Sequence, residues 1–473
     1  MAANRTRAAA SGRVIAGVIG IAIAGVSVFA VGTLDVPRVT AAVPSAVITP
    51  TAADQARVCS GPLLQLAGDG SSSAASFGAA ELTVGAEPGS EPALMPIAAP
   101  GNVSGDAFGS PTVVSVPSGT GADTAPLLAA AQSQSAAFDE LAGFAAGSCT
   151  EASAESWLVG GSTDVGRTSV IALTNPTRAD AIVDLTIYGE SGVVDAPGSQ
   201  GVIVKGGEQK LLSLAAFAPN LITPIVHIES RGGQVAAAIQ HSVIRGLTPS
   251  GVEYVAPTAP AATRQVLSGV VLPATPPLVS DEDYDDNSPA IRIMALGTEA
   301  ARVSVTFTSE QGAPAPDPLE YDLEPGVATE VSLSGLAAGS YTIDIQSSQP
   351  VVAGARTSTA VGESSDFAWF QASTALPDTV MIAVPAGDAP VLHLANPGGD
   401  TLDVELRSAS GSLTATVPGA SSAAIPVAPG TSYEVTGVDG AFAQLSIETA
   451  TGFSAFAVPP ANPSATPVTV YPR

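Results

Sequence analysis

Aromatic residues make up only 4% of this 473-residue chain and charged residues only 13%, although hydrophobic residues reach 45%. The apolar content is therefore Ala, Val, Leu and Ile, which suits strands and argues against a ligand pocket walled by rings. Lysine is nearly missing: Lys205 and Lys210 are the only two, and the net charge is −26. A phosphate backbone needs a cationic face to displace its counterions, so no nucleic-acid partner is expected and the acidity is read as serving solubility. The 48 Gly and 39 Pro argue against long helices, because Pro ends them and Gly weakens them. What remains is an all-β fold, and a chain this long calls for several small modules rather than one core.

The signatures of local chemistry are missing too. There is no His-Glu-x-x-His, no Gly-x-Ser-x-Gly, no Ser-x-x-Lys and no glycine-rich loop followed by lysine. Of the three histidines, His227 and His393 fall inside alternating strand patterns and His241 follows one closely. They read as strand histidines; a triad assembled from distant segments is the alternative. No cofactor, metal site or enzyme activity is expected.

Cysteine occurs twice, at Cys59 and Cys149. The spacing fits neither a redox CxxC nor a zinc site. Both follow the N-terminal hydrophobic segment, so an oxidising compartment would let them pair; a buried pair of free thiols is the alternative.

That segment runs from Val14 to Val31 with Ser27 as its one polar residue and no charge, long enough to span a hydrocarbon core. Arg5, Arg7 and Arg13 precede it, which predicts a cytoplasmic N-terminus with the bulk of the chain outside the cell membrane. Val28 and Ala30 give a pattern a signal peptidase could cut, releasing the protein; the length favours an uncleaved anchor. The organisation predicted is a cytoplasmic tail at 1–13, a transmembrane anchor or signal segment at 14–34 and a Pro-rich tether at 35–57. A Ser/Gly/Ala-rich β-module follows at 58–155, closed by the disulfide.

Beyond it one plan recurs. Gly166-Arg-Thr-Ser-Val-Ile-Ala-Leu-Thr-Asn-Pro176 leads to Ala181-Ile-Val-Asp-Leu-Thr-Ile-Tyr188, and Val391-Leu-His-Leu-Ala-Asn-Pro397 leads to Leu402-Asp-Val-Glu-Leu-Arg407. Ala290 to Gly297 and Ala301 to Phe307 repeat it without Asn-Pro. Alternation gives each strand one apolar face, and Pro pushes the Asn before it into extended backbone, ending one strand and aiming the next. Repeats of roughly ninety to a hundred residues suit tandem immunoglobulin-like β-sandwiches. They are placed at 156–256, 289–372 and 373–473, with a Pro-rich and acidic linker region at 257–288. Its run Asp281-Glu-Asp-Tyr-Asp-Asp286 is expected to be a solvated, self-repelling loop, with calcium binding the alternative.

Trp157, Tyr254 and Trp369 recur near module junctions, each soon after an acidic residue. Packing between modules is the expected role; contact with a partner or glycan is the alternative, since exposed rings stack on sugars and anchor partners.

Trp157-Leu-Val-Gly-Gly161, Gly166-Arg167, Leu173-Thr-Asn-Pro176 and Val183-Asp-Leu185, with Arg57-Val-Cys-Ser-Gly-Pro62 and Cys149 before them, resemble the family called domain of unknown function 5719. The resemblance is concentrated between Cys149 and Gly246, and the chain departs from it at Cys59-Ser-Gly-Pro62, where the family form is Cys-Pro-Gly-Pro. It implies an envelope protein of high-GC Gram-positive bacteria with an N-terminal membrane segment, often encoded near glycosyltransferases. No catalytic residue carries over. The reading is a non-catalytic, membrane-anchored extracytoplasmic protein whose β-sandwiches form a stalk or interaction surface for another envelope protein or glycan. The alternatives are a carbohydrate-binding accessory to envelope glycan assembly and a hydrolase with an unrecognised site, which would need His241 or His393 beside a nucleophile and a carboxylate.

Overall fold

In the computed structural model, which describes residues 46–48, 53–66, 73–119, 125–279, 284–314, 316–460 and 468–470, the regular elements are strands and one 3₁₀ turn, Leu214–Ala216. The chain is all-β, as expected. No helix among the described residues is long and apolar enough to cross a membrane, and the segment at 14–34 lies outside them. Ala46–Ile48 and Val468–Val470 pair with each other in one unit. Thr51–Thr466 forms the second, to which everything below refers.

Four modules make up this unit. In the second, Glu155–Val159, Ile225–Gly232 and Ala181–Gly189 form one sheet, edged by Gly192–Val193 and Val202–Val204. Gln209–Ser213, Arg167–Thr174, Ala236–Arg245 and Thr248–Val255 form the other. Along Ala181–Gly189 every second residue is buried, the period of a sheet with one covered face. The fourth module repeats this with Thr379–Val384, Thr431–Thr436, Leu402–Ser408 and Gly411–Val417 in one sheet. Ser421–Pro426, Ala389–Asn396, Phe442–Thr449 and Gly452–Ala457 form its second.

The third module hangs on one 23-residue strand, Gly339–Val361. Its first half pairs with Ala301–Ser309 and Ala262–Leu272, its second half with Ala290–Ala295 and Ser364–Gln371. Ala262–Leu272 corrects the linker expected at 257–288. Prolines flank this strand, and a register shift between Leu267 and Val270 breaks the alternation that would have revealed it.

The first module is built from Gln55–Cys59, Thr112–Val116 and Ala93–Pro96 beside Glu81–Ala86, Leu128–Ala137 and Ala142–Ser148. The Cys59–Cys149 disulfide ties the two groups, with a Cα–Cα distance of 4.3 Å. Its sequence separation is 90, so chain entropy alone gives a stabilisation of about 4.6 kcal/mol. Reduction is expected to lower the denaturant midpoint accordingly. Identical unfolding curves with and without reductant would contradict this.

Both Asn-Pro turns are held by the asparagine side chain. Asn175 Nδ2 donates to the carbonyls of Ala179 (2.8 Å) and Val204 (3.0 Å), while its Oδ1 accepts from the Thr177 N–H (2.9 Å). Asn396 does the same with Asp400 (2.8 Å), Val417 (3.0 Å) and Gly398 (3.0 Å). Both are buried. Asn396→Ala leaves these groups unpaired and is expected to cost about 2 to 4 kcal/mol, measured by chemical denaturation, with Asn396→Asp recovering only the accepting half.

The modules do not run in a row. Each ends in a hairpin whose last strand turns to a common centre: Ala142–Ser148, Thr248–Val255, Ser364–Gln371 and Gly452–Ala457. These pack first on second, second on third, third on fourth and fourth on first. Apolar side chains are lent round the ring. Val252 and Tyr254 sit in a cluster of the first module, and Phe367 and Trp369 in the second module's core. Phe453 and Ala455 enter the third core, and Phe144 and Ala146 enter the fourth.

At the centre the four strands carry similar residue pairs: Gly143-Phe144, Gly251-Val252, Asp366-Phe367 and Gly452-Phe453. These strands belong to four different sheets, so their inward N–H groups have no ladder partner in the ring. Asp366 supplies one. Its Oδ2 accepts from the N–H groups of Phe144 (2.9 Å) and Phe453 (3.0 Å), its Oδ1 from those of Phe367 (2.9 Å) and Val252 (3.2 Å). The three glycines make room: a Cβ on Gly143 or Gly251 would stand 2.9 or 2.6 Å from Asp366 Oδ1, and one on Gly452 would overlap the carboxylate. Two residues along, Glu253 repeats the device, accepting from Ser454 Oγ–H (2.7 Å) and the Ala455 N–H (3.2 Å). Burial raises both carboxyls, Asp366 to about 8, against the N–H bonds that pull it down.

Candidate functional site

Among the described residues a dense cluster of charge lies where the second and third modules meet. Asp286 receives Arg167 Nε (2.9 Å) and Nη2 (2.8 Å) and is also bound by Arg245, which reaches Asn287 Oδ1 (2.9 Å). Arg292, with no exposed surface, donates to Glu330 Oε1 (2.8 Å) and to the carbonyls of Gly161 (2.8 Å) and Pro224 (3.0 Å). Arg356 reaches the same Glu330 oxygen (3.4 Å) and Tyr284 Oη (3.1 Å). Both guanidiniums lie against the Trp369 ring, at 4.7 and 5.6 Å from its centre. The Trp369 indole N–H points at His241 Nδ1 (3.4 Å).

Electrostatics here follow from burial and the arginines. Burial alone would raise Asp286 and Glu330, but Arg167, Arg356 and Arg245 around the first, and Arg356 and Arg292 around the second, hold both below the usual carboxylate range. Burial pushes His241 down to about 3, so it stays neutral and accepts from Trp369. Arg167 and Arg245 reach Asp286 across the joint and Arg292 reaches the carbonyls of Gly161 and Pro224, while Glu330 holds Arg292 and Arg356 from within the third module, which makes the cluster a fastening between modules.

The acidic run is corrected by this network. Asp281, Glu282 and Asp283 lie outside the described residues, but Asp285 and Asp286 are buried against Arg245 and Arg167 rather than solvated. No group of three or more metal-ligating side chains occurs among the described residues. The Trp-x-x-Gly-Gly motif also gains a reason. A Cβ on Gly160 would stand 3.1 Å from the Trp369 ring, and Gly161, with φ +84°, offers its carbonyl to Arg292.

None of the three aromatics weighed as partner or glycan contacts lies on the surface. Trp157 is 4% exposed and stacks on His227 at 3.9 Å between ring centres; Tyr254 is 6% exposed and donates to the Gly61 carbonyl (2.9 Å); Trp369 is 1% exposed between its arginines. They pack within and between modules, with no ring face left for a sugar.

Another cluster places a serine, a histidine and a carboxylate in line. His393 Nε2 lies 2.8 Å from Ser446 Oγ and Nδ1 lies 2.8 Å from Glu310 Oε2, joining the fourth module to the third. The spacing is that of a nucleophile, base and orienting acid. Its setting differs. His393 is 1% and Ser446 5% exposed, and the strand carrying Ser446 is hydrogen-bonded on both sides, so its N–H groups serve the ladder rather than an oxyanion. Gly269 closes over the imidazole, with no room for a Cβ.

An open cleft of about 360 Å³ lies at the seam between first and fourth modules. Ser133, Ser135, Thr449 and Thr451 line it with the carboxylates of Glu81 and Asp388, while Phe144 and Gly387 lie among its apolar walls. It holds hydroxyls and acids and no cation, so it suits a neutral polyhydroxylated ligand better than an anion.

The sequence model of a family of unknown function, DUF5719, matches residues 103–436. The chain belongs to that family. The DUF5719 match spans three of the four strands that meet at Asp366 and the whole arginine network. No curated protein matches the chain. One solved structure, titled Crystal Structure of Thermotoga maritima 1070, is similar at 20% identity over 24% of this chain and 95% of its own, with a TM-score of 0.20.

Sequence reading missed the first module as a repeat, the Asp366 centre and the arginine network. The signal for the first two was the spaced series Gly143-Phe, Gly251-Val, Asp366-Phe and Gly452-Phe, each in the first half of the last strand of a module. For the network there was no local signal, since its arginines are spread from Arg167 to Arg356.

Proposed function

We propose that this is a non-catalytic, membrane-anchored extracytoplasmic protein whose four immunoglobulin-like β-modules present a rigid interaction surface in the cell envelope. The observation that carries the reading is the commitment of chemically able side chains to fastening: Asp366, Glu253, Arg167, Arg245, Arg292 and His393 all join one module to another. A ring of modules held this way displays its outer loops and edges in fixed positions, as a docking body requires. The segment 14–34 would hold it at the membrane. In-cell crosslinking of the exported part, followed by identification of the adducts, is expected to return one recurring envelope protein; recovery of nonspecific neighbours alone would overturn the reading.

The seam cleft favours a second reading, a carbohydrate-binding accessory to envelope glycan assembly. Its hydroxyls and two carboxylates suit the vicinal hydroxyls of a sugar. Titration with envelope oligosaccharides separates the two: saturable binding abolished by Asp388→Ala supports it, and no heat or binding with any of them removes it.

A further inference from the structure

We infer that the strand Gly411–Val417 is an edge through which two copies of this chain pair. Sheet edges expose unpaired N–H and C=O groups, and proteins guard them with charge, proline or shortness. The other outer edges are guarded. Those of the second module, Gly192–Val193 and Val202–Val204, have two and three residues; Leu319–Leu323 carries Glu320 and Asp322; Ala93–Pro96 and Ser421–Pro426 end in proline. Gly411-Ser-Leu-Thr-Ala-Thr-Val417 has seven residues, no charge and no proline.

Its geometry is that of an open ladder. Ser408 and Gly411 pair across a two-residue turn, so the backbone groups of residues 411, 413, 415 and 417 face Leu402–Ser408. Those of Ser412, Thr414 and Thr416 face away, and no strand among the described residues pairs with them. Leu413 points to the same face as buried Val417 yet is 41% exposed, as though the sheet stopped one strand short.

A second copy of this edge fits. Running antiparallel about a two-fold axis at Thr414, it pairs Thr414 with itself and Ser412 with Thr416, each exchanging two hydrogen bonds. With a net charge of −26, two copies repel over most of their surfaces, and this edge is neutral. The nearest charges, Asp403, Glu405 and Arg407, sit one strand back. Across the joint they would face their copies over three strand spacings, about 14 Å, beyond the Debye length of about 8 to 10 Å.

The test is sedimentation of the full chain in mild detergent over a range of micromolar concentrations. A monomer–dimer equilibrium is expected. Thr414→Lys keeps the N–H and an exposed side chain but sets two ammonium groups opposite each other, and should weaken the dimer at least about tenfold at low salt, less at high salt. Thr414→Cys adds a thiol to a chain whose own cysteines are paired, and mild oxidation should yield a covalent dimer through that residue. A monomer at every concentration that forms no Thr414→Cys dimer overturns the proposal, as does a dimer indifferent to Thr414→Lys. Uptake of a foreign strand by a chain that stays monomeric overturns the second copy as occupant.

Discussion

Asp366→Asn is expected to destabilise the second unit by about 2 to 6 kcal/mol, although the side chain keeps its size and shape. Both oxygens of Asp366 accept two N–H groups each. A protonated carboxyl still offers lone pairs on both oxygens; an amide nitrogen offers none, and its hydrogens would face two N–H donors. Leaving two buried donors unpaired costs about 1 to 3 kcal/mol each. Because the donors come from all four modules, the loss should appear as a common fall in the unfolding midpoint and not as release of one module.

Asp366 also sets a pH dependence whose sign can be worked out. Its pKa is raised from 3.8 to about 8 in the folded protein, so the folded state binds the proton more tightly than the unfolded chain. That contribution is complete below about pH 4 and is lost as pH rises toward 8, at up to about 1.4 kcal/mol per unit. The wild-type protein should therefore lose stability between about pH 5 and pH 8, and Asp366→Asn, though less stable throughout, should show a flatter profile. Asp366→Gly offers a sharper check. It puts glycine at the matching position of all four strands and leaves a hole ringed by N–H groups, which added formate should partly refill. A variant unmoved by formate, with a pH slope equal to the wild type, would refute this account of the centre.

How much of this was legible follows from the range of each interaction. Alternation along Ala181–Gly189 and Leu402–Ser408 is a local property, and it marked strands correctly because burial alternates with the pleat. The Asn-Pro turns were legible as turns, but the side-chain clamp was not, since Asn175 holds Val204 and Asn396 holds Val417 across segments that only folding brings together. The linker expected at 257–288 failed for a different reason: composition marked its flanking prolines while an 11-residue strand lay between them. Trp157, Tyr254 and Trp369 were correctly placed near junctions, yet only the structure shows that all three are covered. The ring closure was least legible, because a chain that returns its first module to its fourth leaves no periodic trace beyond four short, similar residue pairs.

Glu330→Gln carries the other large expected effect, a loss of about 3 to 5 kcal/mol, because it leaves two buried guanidiniums without their shared carboxylate. Arg292 is fully buried and Arg356 is 3% exposed, so neither can turn to water. The pair is also what Trp369 rests on, and through it the second module's core. A double-mutant cycle with Arg356→Met should show coupling above about 1 kcal/mol, since the two changes together remove both members of one pair. Losses that simply add would reduce the pair to bystanders. The acid side follows the opposite sign from Asp366. Glu330 and Asp286 are held below their ordinary values, so their contribution is present above about pH 4 to 5 and disappears as pH falls through the lowered pKa values. With the Asp366 centre weakening from about pH 4 upward and the arginine joint weakening below it, the two place the stability maximum near pH 4 to 5. Glu330→Gln should shift that maximum toward lower pH, and Asp366→Asn should broaden it toward neutrality.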